Sequence, residues 1–212
     1  MVLIVVAIFP FVSDFQILNT LFKLNPPDNW QPTTDNKSMN YFDFYNIPMT
    51  FKPDAAALKK QFYANSKKYH PDFFATESEE KQAEILELST LNNRAYKTLK
   101  DPDARMKYIL DETGVYGKEG ENKLPQDFLT EMMDINEEIM DLQFDFDAEK
   151  YAAAMQKIEA FEKELYGDVD SILKYWTKTT GTDEDLEKVK NFYLKKKYLL
   201  RIRENVSTFA PA

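Results

Sequence analysis

Apolar residues recur at three- and four-residue spacing along most of this chain, which predicts helices that each bury one face. In the first half, the pattern predicts a short aromatic turn of helix at 40–47, a helix that begins at Pro53 and Asp54, and helices over about 81–99 and 103–112. A short loop joins the second helix to the third, so we expect these two to form an antiparallel hairpin.

The second half carries three longer amphipathic segments, at 125–142, 148–179 and 184–207, with short connections between them. Segments of this kind bury their apolar faces against one another, so we predict a three-helix bundle. The expected fold class is therefore all-α, with a helical hairpin in the first half and the bundle in the second.

Glycine and proline mark the domain boundaries. Three glycines fall within 113–124, which we predict to be a linker between a first domain at 39–112 and a second at 125–207. Residues 1–38 combine an apolar start with a polar, proline-containing stretch, and we expect a disordered or dispensable extension. The alternative is a membrane anchor in residues 1–24, although the apolar run is too short to span a bilayer as a helix.

The net charge of −9 is unevenly divided. Residues 39–110 hold eleven Lys or Arg against ten Asp or Glu, whereas residues 111–212 hold fourteen against twenty-three. This balance argues against generic nucleic-acid binding and indicates that the two halves meet different partners. The chain has no cysteine and one histidine, so we expect no metal or other cofactor, and the lack of cysteine fits a cytoplasmic protein.

The single histidine lies in the motif His70-Pro71-Asp72, directly after the first long helix. Pro71 stops that helix and stiffens the turn, so Asp72 is predicted to present a carboxylate to an arginine of a partner. No nucleophile is evident beside His70, and the chain has no glycine-rich phosphate loop. The motif therefore indicates recognition, and we expect no enzyme activity.

Four lysines precede this motif, namely Lys59, Lys60, Lys67 and Lys68. Their spacing of seven and eight residues places them on one face of the helix, where they would attract an acidic partner surface. The alternative is an ordinary solvated face next to an incidental turn.

The segment 125–142 carries more apolar residues than one buried face needs. A complete core stripe is formed by Phe128, Met132, Ile135, Ile139 and Leu142. A second stripe of Leu129, Met133 and Met140 is flanked by Asp134 and Glu137, which indicates a binding surface. The alternative is that Leu129 and Met133 pack beneath the first domain or against another bundle helix.

Taken in order, these features resemble a known family. The aromatic start, the lysine-rich helix with its His-Pro-Asp turn, and the run Asn92–Pro102 resemble the J-domain of DnaJ-type co-chaperones. The segments Met39-Asn40-Tyr41-Phe42 and Tyr69-His70-Pro71-Asp72-Phe73-Phe74, with an acidic helical region following directly, resemble the HscB family over roughly residues 39–207. The lack of a cysteine-based zinc module points to a bacterial-type member.

The resemblance implies a J-domain docked on a three-helix bundle in an L shape. It also implies a co-chaperone in iron–sulfur cluster assembly that binds the scaffold IscU, delivers it to the DnaK-type chaperone HscA and stimulates the ATPase of HscA. His70, Pro71, Asp72 and the four lysines would contact the chaperone. The scaffold would contact Leu129, Met133, Asp134, Glu137 and Phe192.

One residue departs from the family pattern, and two alternative functions are left open. Thr130 stands where the family often has a larger apolar residue, which puts that contact with the scaffold in doubt. The alternative functions are a general J-domain co-chaperone of DnaK with another client, and a membrane-tethered helical adaptor that uses residues 1–24 as its anchor.

Overall fold

Helices account for most of the structure, a computed structural model that describes residues 39–118 and 121–208. The predictions for residues 1–38, including the anchor, lie outside this range. The helices are α1 (Tyr41–Phe44), α2 (Ala55–Lys68), α3 (Glu79–Lys100), α4 (Pro102–Glu112), α5 (Gln126–Phe144), α6 (Ala148–Tyr175) and α7 (Asp183–Ser207), with a 3-10 turn at Pro71–Phe74. The all-α prediction is confirmed. Between residues 39 and 208, no described helix is both long and apolar enough to cross a membrane.

Local capping explains where several helices begin. Asp54 Oδ1 accepts the backbone N–H of Ala56 at 2.8 Å ahead of α2, and Asp101 Oδ1 accepts that of Ala104 at 2.7 Å ahead of α4. Thr182 forms a reciprocal capping box with Asp185 at the start of α7. Each cap satisfies backbone donors that have no partner within the helix, and a cap of this kind typically stabilises a helix by about 1 kcal/mol.

A buried asparagine ties the first three helices together. Asn92 of α3 is 1% exposed, and its carbonyl oxygen and its side-chain oxygen accept from the Tyr45 hydroxyl at 2.8 and 2.9 Å. Its side-chain nitrogen donates to Phe62 O at 3.2 Å and to Ser66 Oγ at 3.0 Å on α2. Burial raises the pKa of Tyr45, so its hydroxyl stays protonated and donates. This network sets how α1, α2 and α3 pack.

The bundle core follows the predicted stripe of α5. Every residue of that stripe is at most 3% exposed, which confirms it as Phe128, Met132, Ile135, Ile139 and Leu142. The stripe packs against α6 and α7, which contribute residues that are fully buried, among them Ile158, Val189 and Leu199. Burying a side chain of this size stabilises the fold by roughly 1.5–3 kcal/mol, so the stripe makes a large contribution to the stability of the bundle.

The helix predicted over 148–179 ends earlier, because α6 stops at Tyr175. Trp176 turns away into the core, is 5% exposed and packs its ring 4.9 Å from that of Phe51. Thr177 forms an isolated antiparallel bridge with Thr50. The end of α6 is thus set by a contact with the segment between α1 and α2.

The predicted linker is also part of the packed structure where it is described. Tyr116 donates its backbone N–H to Leu110 O at 3.0 Å, and its ring lies edge-to-face on Tyr193 of α7 at 5.8 Å. Gly114 has a φ of +72°, a conformation that favours glycine, and it reverses the chain after α4. Residues 113–118 therefore connect the two halves through contacts as well as through the chain.

Candidate functional site

The His-Pro-Asp motif forms a tight turn at the end of α2. The backbone N–H of Tyr69 closes the helix on Asn65 O at 2.8 Å. His70 then adopts an extended conformation with φ −75° and ψ 123°, as expected for a residue before proline. Pro71 opens the 3-10 turn, where its missing N–H leaves no hydrogen bond unmade. The chain direction thus changes within two residues.

His70 holds this turn in shape. Its Nδ1 accepts the backbone N–H of Asp72 at 3.3 Å, and its carbonyl oxygen accepts that of Phe73 at 3.1 Å. The Asp72 side chain itself is 86% exposed, and its nearest carboxylate oxygen lies 3.8 Å from His70 Nδ1. The predicted presentation of Asp72 is therefore matched by its exposure. The role of His70 in capping the turn was not foreseen from the sequence.

A residue of α3 supports the turn from the other side. Gln82 donates its side-chain Nε2 to Ala75 O at 3.2 Å and to Glu77 O at 2.9 Å. These two bonds fix the loop that follows the 3-10 turn. Sequence reasoning did not identify Gln82, because a glutamine near the start of a polar helix surface gives no signal of a long-range contact.

The four lysines of α2 are all exposed, as predicted. Lys59 Nζ lies 6.0 Å from the ring centroid of Tyr63, and Lys68 Nζ lies 4.9 Å from that of Tyr69. Within residues 39–118 and 121–208, none of the four has a carboxylate oxygen within 4.0 Å. Their charge is therefore available to an acidic surface that approaches the turn.

The second stripe of α5 lies on the surface. Met133 and Met140 are each 59% exposed, Asp134 and Glu137 are exposed, and Leu129 is half-buried. We call these five residues the α5 surface. The alternative that Met133 is a core residue does not hold in this structure, because more than half of its area is accessible to solvent.

Thr130 lies next to this surface and turns its hydroxyl inward. Its Oγ1 donates to Gln126 O at 3.0 Å, one turn earlier in α5. Thr130 is exposed, and its short side chain offers less apolar area than a larger apolar residue would. This geometry fits a reduced contact at that position.

Phe192 is not brought to the α5 surface. It is 3% exposed on α7 and lies edge-to-face with Tyr166 of α6, with ring centroids 4.8 Å apart. Tyr166 is itself 42% exposed. We therefore leave Phe192 out of the proposed contact surface, and its predicted binding role stays a prediction.

Comparison with known proteins places this arrangement in a family. The family model described as the HSCB C-terminal oligomerisation domain matches residues 124–207, which span α5 to α7. The chain is 33% identical over 188 residues to the iron-sulfur cluster co-chaperone protein HscB of Mus musculus, which covers 86% of this chain and 70% of the mouse protein. The chain belongs to the HscB family. It is also 36% identical over 138 residues to the co-chaperone protein HscB homolog of Vibrio campbellii, covering 60% of this chain and 80% of that protein.

Solved structures of HscB proteins share the fold. The chaperone HscB from Vibrio cholerae superposes with a TM-score of 0.57 at 26% identity, covering 80% of this chain and 96% of that one. The crystal structure of the human co-chaperone protein HscB gives a TM-score of 0.60 at 25% identity, covering 87% and 92%. The resemblance to HscB that the motifs indicated is confirmed, and the relatives are co-chaperones rather than enzymes.

Proposed function

We propose that this HscB-family chain is a cytoplasmic co-chaperone of iron–sulfur cluster assembly with no catalytic site and no cofactor of its own. It binds an IscU-type scaffold and delivers it to the chaperone HscA, whose ATPase it stimulates. The observation that carries the proposal is the exposed Asp72 carboxylate on a turn shaped by His70, in a chain whose relatives are HscB co-chaperones.

The contact with the chaperone rests on charge and geometry. An exposed carboxylate such as that of Asp72 accepts two parallel hydrogen bonds from an arginine, which gives direction as well as attraction. The four α2 lysines add long-range attraction toward an acidic surface, which raises the rate of encounter. His70, Pro71 and Gln82 act by positioning the carboxylate.

The contact with the scaffold rests on apolar area. Methionine side chains adapt to irregular partner surfaces, and Met133 and Met140 of α5 are each more than half exposed. Asp134 and Glu137 supply a charged rim that favours basic or hydrogen-bond-donating groups around the apolar centre. Leu129 completes the surface one turn before Met133.

The test is an ATPase assay of HscA with and without IscU, together with calorimetric titration of IscU. We expect Asp72→Asn to lose stimulation and to keep IscU affinity, because the substitution changes only an exposed carboxylate. Asp168→Asn, at an exposed position of α6, is the matched control and should behave as the wild type.

Normal stimulation by the Asp72→Asn variant would contradict the proposal. Replacing HscA by DnaK in the same assay distinguishes the proposed function from the alternative of a general J-domain co-chaperone. Stimulation of DnaK alone would favour that alternative.

A further inference from the structure

A second concave surface lies away from the residues used so far. An open cleft of about 610 Å³ lies between α4, the segment after it and α7. The residues that matter for its chemistry are Lys107, Asp111, Tyr116, Lys197, Tyr198 and Arg201. Its size is in the range of clefts that bind small ligands or short peptide segments.

The charge of this cleft is opposite to that of the chain. Among the described residues that line the cleft, three cations face one carboxylate, and that carboxylate is already used because Asp111 Oδ2 lies 2.6 Å from Lys107 Nζ. Across the described part of the chain, neither Lys197 nor Arg201 has a carboxylate oxygen within 4.0 Å. By contrast, Arg203 on the same helix pairs with both Glu159 and Glu162. A protein of net charge −9 therefore gathers uncompensated positive charge in a concavity, which concentrates its field.

The walls of the cleft are held in place by hydrogen bonds and ring contacts. The Tyr198 hydroxyl accepts from Asn136 Nδ2 at 3.0 Å, and the Tyr116 ring packs on Tyr193. Asn122 closes the segment by accepting from Gly117 N at 3.1 Å and donating to Gly117 O at 2.9 Å. The rings of Tyr116 and Tyr198 provide apolar area beside the cations. Because these contacts already hold the walls in place, little ordering is needed when a ligand enters.

We infer that this cleft binds an acidic peptide segment of a partner protein. Lys197 and Arg201 are one helical turn apart, and alternate residues of an extended peptide point to the same face, so two carboxylates at such positions reach both cations. Arginine also accepts carboxylates in bidentate fashion. This inference uses neither Asp72 nor the α5 surface, so it stands independently of the proposed function.

The test uses the full chain and a fluorescein-labelled peptide that alternates glutamate and leucine, with a glutamine–leucine peptide of equal length as control. Fluorescence anisotropy should show binding of the acidic peptide only, and weaker binding as salt rises. Lys197→Gln/Arg201→Gln should lower the affinity about tenfold or more, because two charged contacts are lost.

Two further variants locate the site. Lys188→Gln changes a lysine of α7 that pairs with Glu184 outside the cleft, and it should leave the affinity unchanged. Lys59→Gln/Lys60→Gln tests whether the peptide binds the α2 lysines instead. The inference is overturned by loss of binding in that variant alone, by equal binding of the glutamine peptide, or by unchanged affinity of Lys197→Gln/Arg201→Gln. Binding of inorganic phosphate without binding of the peptide would also overturn it, in favour of a small-anion site.

Discussion

The turn after α2 and the α5 surface differ in the physical means by which each is suited to recognition. The turn presents the Asp72 carboxylate beside four α2 lysines that have no ion pair among the described residues, so this region relies on charge and on a backbone shaped by His70. The α5 surface presents methionines that are more than half exposed, with acids only at its rim. Charge acts at long range and is screened by salt, whereas apolar contact acts at short range and scales with buried area.

Under the proposed function, this difference lets one chain bind two partners at separate surfaces. A partner with an acidic surface is attracted by the α2 lysines and repelled by the rim of the α5 surface. A partner with an apolar patch gains little from the turn, where the lysines are strongly hydrated. The contrast therefore supports specificity as well as affinity.

Removing the charge of Asp72 should have the largest effect, a loss of affinity for the chaperone at the charged turn. Truncating one partner of a desolvated charge pair costs about 2–5 kcal/mol, so Asp72→Asn should lower affinity for the chaperone by about 30-fold or more. His70→Gln should act in the same direction because it removes the cap of the turn. Surface plasmon resonance with HscA measures this, and unaltered affinity in both variants would show that the turn is not the contact.

The double substitution Leu129→Ser/Met133→Ser should weaken the apolar contact that the α5 surface makes with IscU. Each side chain contributes roughly 1.5–3 kcal/mol when fully buried, and Leu129 is already half-buried. We expect a loss of about 2–4 kcal/mol in IscU binding, which is roughly 30- to 700-fold in affinity. ATPase stimulation in the absence of IscU should persist. A melting curve is the control, since unfolding of the variant would show that these residues support the core.

Gly181→Ala should weaken the contact between the end of α6 and the segment that precedes α2. A Cβ at this position would lie 1.7 Å from Nε1 of Trp176, the residue that packs on Phe51. Overpacking of this kind costs about 1–3 kcal/mol, so thermal unfolding should shift to lower temperature. Gly167→Ala is the matched control, because its Cβ meets nothing within 4 Å and alanine favours the helix more than glycine does. Equal melting of the two variants would show that the Trp176 contact yields without cost.

The smallest expected effect is the dependence of chaperone affinity on salt concentration. Exposed charges interact over about 8 Å at physiological ionic strength, and each α2 lysine contributes at most about 1 kcal/mol. Affinity for the chaperone should therefore fall as salt rises, and Lys67→Gln/Lys68→Gln should flatten that dependence. Lys163→Gln, an exposed lysine of α6, should not. Identical salt dependence in the wild type and both variants would show that the α2 lysines do not attract the chaperone.

Much of the local structure could be predicted because it depends on residues close in the chain. The cap at Asp54 acts within two residues, and Pro71 stops α2 through its own ring. The period of α5 separated its buried stripe from the exposed Met133 because helical spacing alone assigns faces. The HscB resemblance rested on these same short-range patterns.

The tertiary structure decided those features that depend on contacts between residues far apart in the sequence. The helix pattern ran past Tyr175, yet α6 ends there because Trp176 meets Phe51, a residue 125 positions earlier in the sequence. Phe192 matched a binding motif, but packing against Tyr166 buries it. The cleft at Lys197 and Arg201 exists only because α4 and α7 lie side by side. Periodicity and capping assign helices and their faces from local spacing, whereas the contacts of each face depend on how remote segments pack.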